Sequence, residues 1–445
     1  MSATVGKRER EETAGGTAGQ ARKRSRVGGV RAKVVILVGG HSKGTRFRPL
    51  SFDVPKPLVP IAGLPLLQHY LNECSCAFRA SEVELAEVLL LGFFQAEEFD
   101  SFCNDASQRM GVPVRYLKEP SSLGTAGSLY HFRDEIMSGL GGGGGDRLFV
   151  LHGDIMCKFP FAPMLAEFAK HDSAVGVILG HKVPHSEVPS YGCLVSDPHS
   201  NELLHYVEKP SGTTPLSNTI NCGVYLLNPI RFFDFVEHVA THMEEDDSSV
   251  TLSSSYSIPK NHIQMETAVL PRLAGEQKIY VLPYEEWWLQ IKKPSECIAA
   301  AEMIMSHCRD QMSDSPPFPV DFHSGYFGNV VVHPMAQVDP SAKIGPNVSI
   351  GANAIVGKGV RISNSIILDG TVLRDRCLVT HSILCWNVDV GSWARIEGTE
   401  EHSHTMEGVC VLGKGVQIAP EIIVRGCVVL PHKGVNESIS HRIIL

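Results

Sequence analysis

Two different periodicities divide the hydrophobic positions of this chain into two regions. In the first region, continuous apolar runs at residues 34–38, 88–92 and 148–151 alternate with helical patterns at residues 66–77 and 126–138. Continuous apolar runs are typical of parallel strands that are covered on both faces. Because these strands alternate with helices, the pattern predicts right-handed βαβ units and an α/β, doubly wound (Rossmann-like) sheet.

The second region repeats every six residues. Neither a helix nor a simple strand has this period, whereas a triangular coil with six residues on each side does. The pattern therefore predicts a left-handed parallel β-helix of hexapeptide repeats, interrupted by a loop at residues 398–408. One apolar register holds Val332, Val338, Ile344, Ile350, Val356, Ile362 and Leu368; a second holds Ala336, Ala342, Val348, Ala354, Val360, Ile366, Val372, Leu378, Leu384, Val390 and Ile396.

Changes in composition set the expected domain boundaries. Residues 1–31 are rich in Gly, Ala and charged side chains, which predicts a disordered basic tail. We expect the α/β domain at residues 32–310, a proline-containing linker at residues 311–325 and the β-helix domain at residues 326–445. Within the first domain, residues 241–262 are rich in Glu, Asp and Ser and predict a poorly ordered insertion.

Overall composition excludes several classes of function. The net charge of −8 is spread along the chain, which predicts no nucleic-acid partner and no attachment to an anionic membrane. No apolar run is long enough to span a bilayer, and the start of the chain has no apolar segment typical of a secretion signal. The twelve scattered cysteines predict free thiols in a reducing compartment. We therefore expect a cytoplasmic protein.

A glycine-rich turn follows the first predicted strand. Such a turn lets backbone N–H groups approach phosphate oxygens closely, and nearby basic side chains add positive charge. The spacing matches neither the Rossmann GxGxxG fingerprint nor a Walker A loop. The turn begins at Gly39-Gly40 and continues as Gly44-Thr45-Arg46-Phe47-Arg48-Pro49-Leu50, followed by Pro55-Lys56-Pro57-Leu58.

This string resembles the signature of the sugar-1-phosphate nucleotidylyltransferases, whose enzymes join an NTP to a sugar-1-phosphate and release pyrophosphate. Further motifs of that family follow in order at residues 123–127, 153–154, 191–192, 208–210 and 221–225. The resemblance implies that residues 32–310 form a nucleotidyltransferase-like domain. It implies catalytic roles for Arg46 and Lys56; nucleotide and phosphate binding by Gly39, Gly40, Gly44, Thr45, Gly124 and Thr125; sugar and sugar-phosphate binding by Tyr191, Gly192, Glu208, Lys209 and Asn221; and Mg²⁺ binding by Asp154.

Two departures from the family pattern bear on activity. Three residues separate Gly40 from Gly44, where the family's usual spacing has one, and such an insertion shifts the backbone donors of a phosphate loop. The late motif WxDIG, whose Asp is the second metal ligand in active relatives, here ends in Gln290-Ile291-Lys292. A neutral amide is a poor ligand for a hard cation, so we expect Mg²⁺ binding to be weak or absent.

Both departures, together with the motifs at residues 204–210, 220–223 and 430–433, resemble those of the alpha-subunit subgroup of the eukaryotic mannose-1-phosphate guanylyltransferase (GDP-mannose pyrophosphorylase) family. The resemblance implies a regulatory subunit that binds GDP-mannose, or GTP and mannose-1-phosphate. It also implies a catalytic beta subunit as partner. From the exposed faces of a β-helix we expect self-association through that domain. Intrinsic activity is left open by Gln290 and the loop insertion.

Two alternatives remain. A working guanylyltransferase would make GDP-mannose and pyrophosphate with Asp154 as its one acidic metal ligand. A hexapeptide acyltransferase would use a histidine of the β-helix, for which His381 and His402 are candidates. The second alternative leaves the phosphate-binding motifs unexplained.

Overall fold

A nine-stranded mixed sheet forms the core of the first domain. The computed structural model describes residues 30–40, 45–141, 145–211, 215–247, 262–276, 278–310, 326–399 and 408–445. The predicted linker, residues 1–29 of the predicted tail and residues 400–407 of the predicted loop lie outside these ranges. The strands are β1 Arg31–Gly40, β2 Pro60–Ile61, β3 Leu64–Pro65, β4 Glu84–Phe93, β5 Val114–Lys118, β6 Arg147–His152, β7 Ile155–Cys157, β8 Gly176–Lys182, β9 Gly192–Ser196, β10 Leu203–Glu208, β11 Thr219–Leu227, β12 Ile279–Tyr284 and β13 Trp288–Gln290.

Strand order confirms the predicted sheet. The order is β10-β9-β11-β6-β1-β4-β5, and β8 joins β11 to β12. Strand β1 lies parallel to both β4 and β6. Because the chain passes from β1 to β4 on one side and later to β6 on the other, the carboxyl ends of β1 and β6 flank a crevice. Strands β8 to β11 add antiparallel pairs that the sequence pattern did not reveal.

Helices cover both faces of the sheet. Alternate residues of β1 enter different hydrophobic clusters, Val34 and Ile36 on one face and Val35 on the other. The predicted helix at residues 126–138 is divided into two at Phe132, and a helix continues to Asp247 inside the predicted insertion. Among the described residues, none of the helices has the length and apolar character needed to cross a membrane. The helices are α1 Leu66–Arg79, α2 Glu97–Met110, α3 Thr125–His131, α4 Arg133–Met137, α5 Phe161–Phe168, α6 Pro229–Asp247, α7 Leu270–Gly275 and α8 Pro294–Asp310.

The second domain is a parallel β-helix with three ladders of short strands, as predicted. All strand pairs within it are parallel, and each coil contributes a strand to each ladder. The predicted loop is closed at its base, where Thr399 N donates to Gly408 O at 2.7 Å. The strands are β14 Val330–Val332, β15 Gln337–Val338, β16 Lys343–Ile344, β17 Val348–Ile350, β18 Ile355–Val356, β19 Arg361–Ile367, β20 Val372–Leu373, β21 Leu378–Leu384, β22 Asp389–Val390, β23 Arg395–Glu397, β24 Cys410–Leu412, β25 Gln417–Ile418, β26 Ile423–Arg425, β27 Val428–Val429, β28 Gly434–Val435, β29 Ile439–Ser440 and β30 Ile443–Ile444.

Coil length corrects the predicted second register. Val330 pairs with Val348, eighteen positions later, but Ile367 pairs with Leu384, only seventeen positions later. After a coil of seventeen residues, the inward position comes one residue earlier than a strict six-residue repeat predicts. Because inward and outward side chains alternate along a strand, the residue that the repeat predicts to be inward then points outward. Leu384 consequently stacks in the column of the first register, and Val372 and Leu378 point outward and are half-buried. Ile367 takes the inward position predicted for Ile366 and Leu368, which instead belong to a cluster outside the β-helix interior.

One outward face of the β-helix packs against the first domain. Ile366, Ile383 and Val411 belong to the same hydrophobic cluster as Cys297 and Ile304 of α8. An ion pair between Lys414 Nζ and Asp53 Oδ2 (3.3 Å) lies at the edge of this contact. The two domains therefore share a buried apolar interface.

Candidate functional site

Two adjoining cavities open at the crevice beside the carboxyl ends of β1 and β6. Because Gly124, Thr125 and His152 line both, the cavities form one continuous cleft. The first cavity brings together the predicted residues Gly39, Gly40, Lys56, Gly124, Thr125 and Asp154. The second brings together Arg46, Gly124, Thr125, Tyr191, Gly192, Glu208, Lys209 and Asn221, together with Gln290. Thr45 lines neither cavity, and Gly44 lies outside the described residues.

Asp154 lies between the two cavities, at the turn that follows β6. Strand β13 pairs with β7 so that Gln290 lies opposite Ile155, and Ile291 N donates to Asp154 O at 2.6 Å. This pairing brings the Gln290 side chain to the carboxylate, where its Nε2 donates to Asp154 Oδ2 at 3.2 Å. The opposite orientation of the amide would place two acceptor oxygens together. Lys56 Nζ lies 3.6 Å from the same Oδ2.

Tyr70 holds the turn that carries Asp154. Its hydroxyl donates to His152 O at 2.8 Å, and Ile155 N donates to that hydroxyl at 2.9 Å. Burial raises the pKa of Tyr70, and the nearby Asp154 carboxylate adds to the rise. A fully buried, neutral phenol therefore fixes the backbone on both sides of Asp154.

Lys292 places a positive charge beside this carboxylate. Its ammonium lies over the Tyr191 ring, 4.7 Å from the centroid, and the side chain is half-buried. Burial lowers the pKa of Lys292; Asp154 and Glu296 oppose that shift, whereas the like charges of Lys209 and Arg46 add to it. Lys292, at the end of the WxQIK segment, thus places a positive charge in the second cavity.

A network of hydrogen bonds forms the floor of the second cavity. Tyr206 Oη donates to Glu208 Oε2 at 2.8 Å, and Asn221 Nδ2 donates to Tyr225 Oη at 2.8 Å. Asn221 Oδ1 accepts from Gly223 N at 2.9 Å. Burial raises the pKa of Tyr206. Tyr206, Glu208 and Asn221 thus line this cavity with hydrogen-bonding side chains.

Glu266 and His152 are among the cleft residues that were not predicted from the sequence. Glu266 accepts a hydrogen bond from Thr125 Oγ1 at 2.9 Å, and its Oε1 lies 3.4 Å from His152 Nε2. The buried His152 Nε2 makes no hydrogen bond within the described part of the chain. His152 directly precedes the predicted Gly153-Asp154 pair, so its position was available to sequence reasoning. Glu266 follows an insertion and had no recognisable motif.

The basic side chains divide between the cavities. Lys56 is largely buried, 5.5 Å above the Phe47 ring, whereas Arg46 is exposed at the rim of the second cavity. Lys209 Nζ pairs with Glu208 Oε1 at 2.8 Å and is also largely exposed. The predicted phosphate-binding cations are therefore distributed along the whole cleft.

These residues do not fit an octahedral Mg²⁺ site. Nucleotidyl transferases generally use a divalent metal, and Mg²⁺ requires oxygen ligands at close range. Here one carboxylate is surrounded by Lys56, Gln290 and Lys292, which present nitrogen donors and positive charge. Across the residues that the structure describes, no group of three or more His, Cys, Asp or Glu side chains is arranged to hold a metal ion.

His381, a candidate for acyl transfer, is part of a structural ladder. Asn347 donates to Asn364, and Asn364 Nδ2 lies 3.0 Å from His381 Nε2. Thr380 Oγ1 lies 3.0 Å from the other ring nitrogen. His381 therefore occupies a corner of the coil with both nitrogens bonded, which does not favour acyltransferase chemistry. His402 lies outside the described residues.

Comparisons with known proteins cover both domains. Residues 33–267 match the family model described as Nucleotidyl transferase, and residues 326–445 match the model described as GMPPB C-terminal domain. Mannose-1-phosphate guanylyltransferase regulatory subunit alpha-B from Danio rerio is 38% identical over 437 residues, which cover 93% of this chain and 100% of that protein. The regulatory subunit alpha from Xenopus tropicalis is 41% identical over 434 residues (93% and 100%), and that from Dictyostelium discoideum is 40% identical over 424 residues (93% and 98%).

Proposed function

Because this chain belongs to the mannose-1-phosphate guanylyltransferase family of nucleotidyl transferases, we propose that it is a regulatory, alpha-type subunit of such an enzyme. In this proposal the cleft binds GDP-mannose and does not form it. Gly39, Gly40, Gly124 and Thr125 contact the nucleotide, and Tyr191, Gly192, Glu208, Lys209 and Asn221 contact the mannosyl phosphate. We further propose that the protein acts in the cytoplasm, which is supported by twelve cysteines that form no disulfide.

The hydrogen bond between Gln290 and Asp154 carries this proposal. Phosphoryl transfer depends on positioned positive charge at the reacting phosphate, which active enzymes of this type supply with Mg²⁺. The Gln290 amide and the Lys56 ammonium compete with such an ion for Oδ2, one of the two carboxylate oxygens of Asp154. The cleft retains the groups for binding and lacks those for turnover.

The first test compares turnover with binding. We expect no pyrophosphate release by the purified chain from GTP and mannose-1-phosphate with Mg²⁺, and clear calorimetric binding of GDP-mannose. UDP-glucose is the matched control ligand and should bind much more weakly. The retained carboxylate of Asp154 favours the alternative of a working guanylyltransferase. Robust pyrophosphate release by the unmodified chain would establish that alternative and reject the regulatory role.

We further propose that the β-helix assembles this chain with itself and with a catalytic subunit. Six of the ten large hydrophobic side chains that are exposed in the described residues belong to this domain: Phe327, Met335, Ile355, Trp393, Ile443 and Leu445. Exposed apolar groups at the end of a β-helix are available for partners.

The last coil provides a test of this assembly. An Ile443→Glu/Leu445→Glu double variant is expected to sediment as a smaller species than the unmodified chain, because it places two charges on an apolar contact. The matched control is Leu216→Glu, which changes an equally exposed leucine of the first domain (78% exposed, against 80% for Leu445). An unchanged mass for the double variant would contradict assembly through the last coil.

A further inference from the structure

The position that a metal ion would take beside Asp154 is filled by the chain's own nitrogen donors. Gln290 Nε2 and Lys56 Nζ both approach Asp154 Oδ2, at 3.2 and 3.6 Å. The backbone carbonyl of the same residue accepts from Ile291 N at 2.6 Å. One carboxylate oxygen, Oδ2, and the backbone carbonyl of Asp154 are therefore engaged within the protein, and the contacts from Gln290 and Ile291 follow from the pairing of β13 with β7.

Lys292 supplies positive charge near Asp154, where a metal ion would supply it in an active enzyme. Its ammonium is fixed over the Tyr191 ring and interacts electrostatically with Asp154 and Glu296. It lines the second cavity together with Arg46 and Lys209, which repel it. The lining of the second cavity contains four basic side chains, with Lys293 as the fourth, and the carboxylates Glu208, Glu266 and Glu296. Arg46 and Lys209 lie close enough to Lys292 to repel its charge, and such a cluster of cations is suited to a multiply charged anion.

We infer that the cleft binds the diphosphate of a nucleotide sugar without a divalent cation, and that the Lys292 ammonium takes the place of the metal charge. This inference rests on the proposed function and specifies the chemistry of its ligand. A Lys ammonium is a compact point charge that donates three hydrogen bonds, which suits it to bridge two phosphate oxygens. Unlike a metal ion, an ammonium has no open coordination position, so it binds the diphosphate without activating it for reaction.

Metal-independent binding also sets a preference between ligands. Nucleoside triphosphates hold Mg²⁺ on adjacent phosphates, whereas the diester-linked diphosphate of a nucleotide sugar has fewer charges and holds the ion less strongly. The Lys292 ammonium repels a Mg²⁺ ion that is held on adjacent phosphates, which disfavours the metal complex of a triphosphate relative to the metal-free nucleotide sugar. Occupancy of the site therefore follows the concentration of nucleotide sugar, even when GTP and Mg²⁺ are present.

The test measures GDP-mannose affinity by calorimetry on the full chain, once with EDTA and once with Mg²⁺. We expect the two dissociation constants to agree within about twofold. Lys292→Met should weaken binding in EDTA by roughly tenfold or more, because it removes a charge-assisted contact to phosphate. Lys292→Arg keeps the positive charge and should retain most of the affinity. Lys278→Met is the matched control, since Lys278 lies away from the cleft and pairs with Glu276, and it should leave binding unchanged.

A Gln290→Asp variant provides the converse measurement. It restores a second carboxylate beside Asp154, so GDP-mannose affinity should rise on addition of Mg²⁺, and Mn²⁺ alone should bind in an electron paramagnetic resonance titration. If the unmodified chain binds GDP-mannose only with Mg²⁺, or if Lys292→Met binds like the unmodified chain, the inference is wrong and the regulatory proposal stands. If GDP-mannose binds under neither condition, the proposed function itself is rejected.

Discussion

An Ile383→Asp substitution is expected to lower the free energy of unfolding by about 4 kcal/mol or more, since it buries an unpaired charge where an apolar side chain packed. Ile383 is completely buried, although it points away from the interior of the β-helix. It belongs to the same hydrophobic cluster as Ile304 and Cys297 of α8, and its strand β21 contacts α8, so the change acts on the contact between the two domains. Denaturant unfolding measures the loss, and limited proteolysis measures exposure of α8.

The matched control for this variant is Ile355→Asp. Ile355 also points outward from the β-helix, but it lies on a different ladder and is 43% exposed. In the separate chain a charge there stays hydrated, so at concentrations where the chain is monomeric the expected change in unfolding free energy is within about 0.5 kcal/mol. Equal stability of the two variants would show that the β-helix does not depend on α8 for its stability.

The two folds were predictable from the sequence because their patterns are local. A buried parallel strand needs a continuous apolar run, and β1 shows one at residues 34–38. A six-residue period identifies the β-helix for the same reason. Ile366, Val372 and Leu378 were wrongly predicted to point inward, because a coil of seventeen residues is recognised only from the pairing between coils, as between Ile367 and Leu384. Leu384, Val390 and Ile396 lie in the interior as predicted. The contact of Ile366 with α8 likewise depends on the arrangement of whole domains.

The candidate site was predictable to the extent that its residues lie in recognisable motifs. Lys56 and Asp154 were found in this way, and the structure brings them to the same point. Glu266 is 141 residues from Thr125 and has no motif, so only the folded chain reveals the hydrogen bond between them. The sequence predicted that Lys292 adds a positive charge near the metal position. Its contact with the Tyr191 ring could not be predicted, because it depends on the pairing of β13 with β7.

A Gly192→Ala substitution is expected to weaken GDP-mannose binding by roughly a hundredfold, equivalent to about 3 kcal/mol. A Cβ atom at this position would lie 2.0 Å from Tyr206 Oη and 2.9 Å from Glu208 Oε2. Tyr206 is buried and bonded to Glu208, so it cannot rotate away without breaking that hydrogen bond. The added methyl group therefore displaces the proposed sugar-binding groups by more than an ångström.

Gly275→Ala is the matched control for this glycine. A Cβ atom there meets no neighbour within 4 Å, and Gly275 ends helix α7, where alanine is better tolerated than glycine. We expect this variant to bind GDP-mannose like the unmodified chain and to be equally stable. Because Gly192→Ala also strains its surroundings, its melting temperature is measured alongside the calorimetry. Unchanged affinity in a folded Gly192→Ala protein would mean that the ligand does not contact Tyr206 and Glu208, and the sugar would have to bind elsewhere in the cleft.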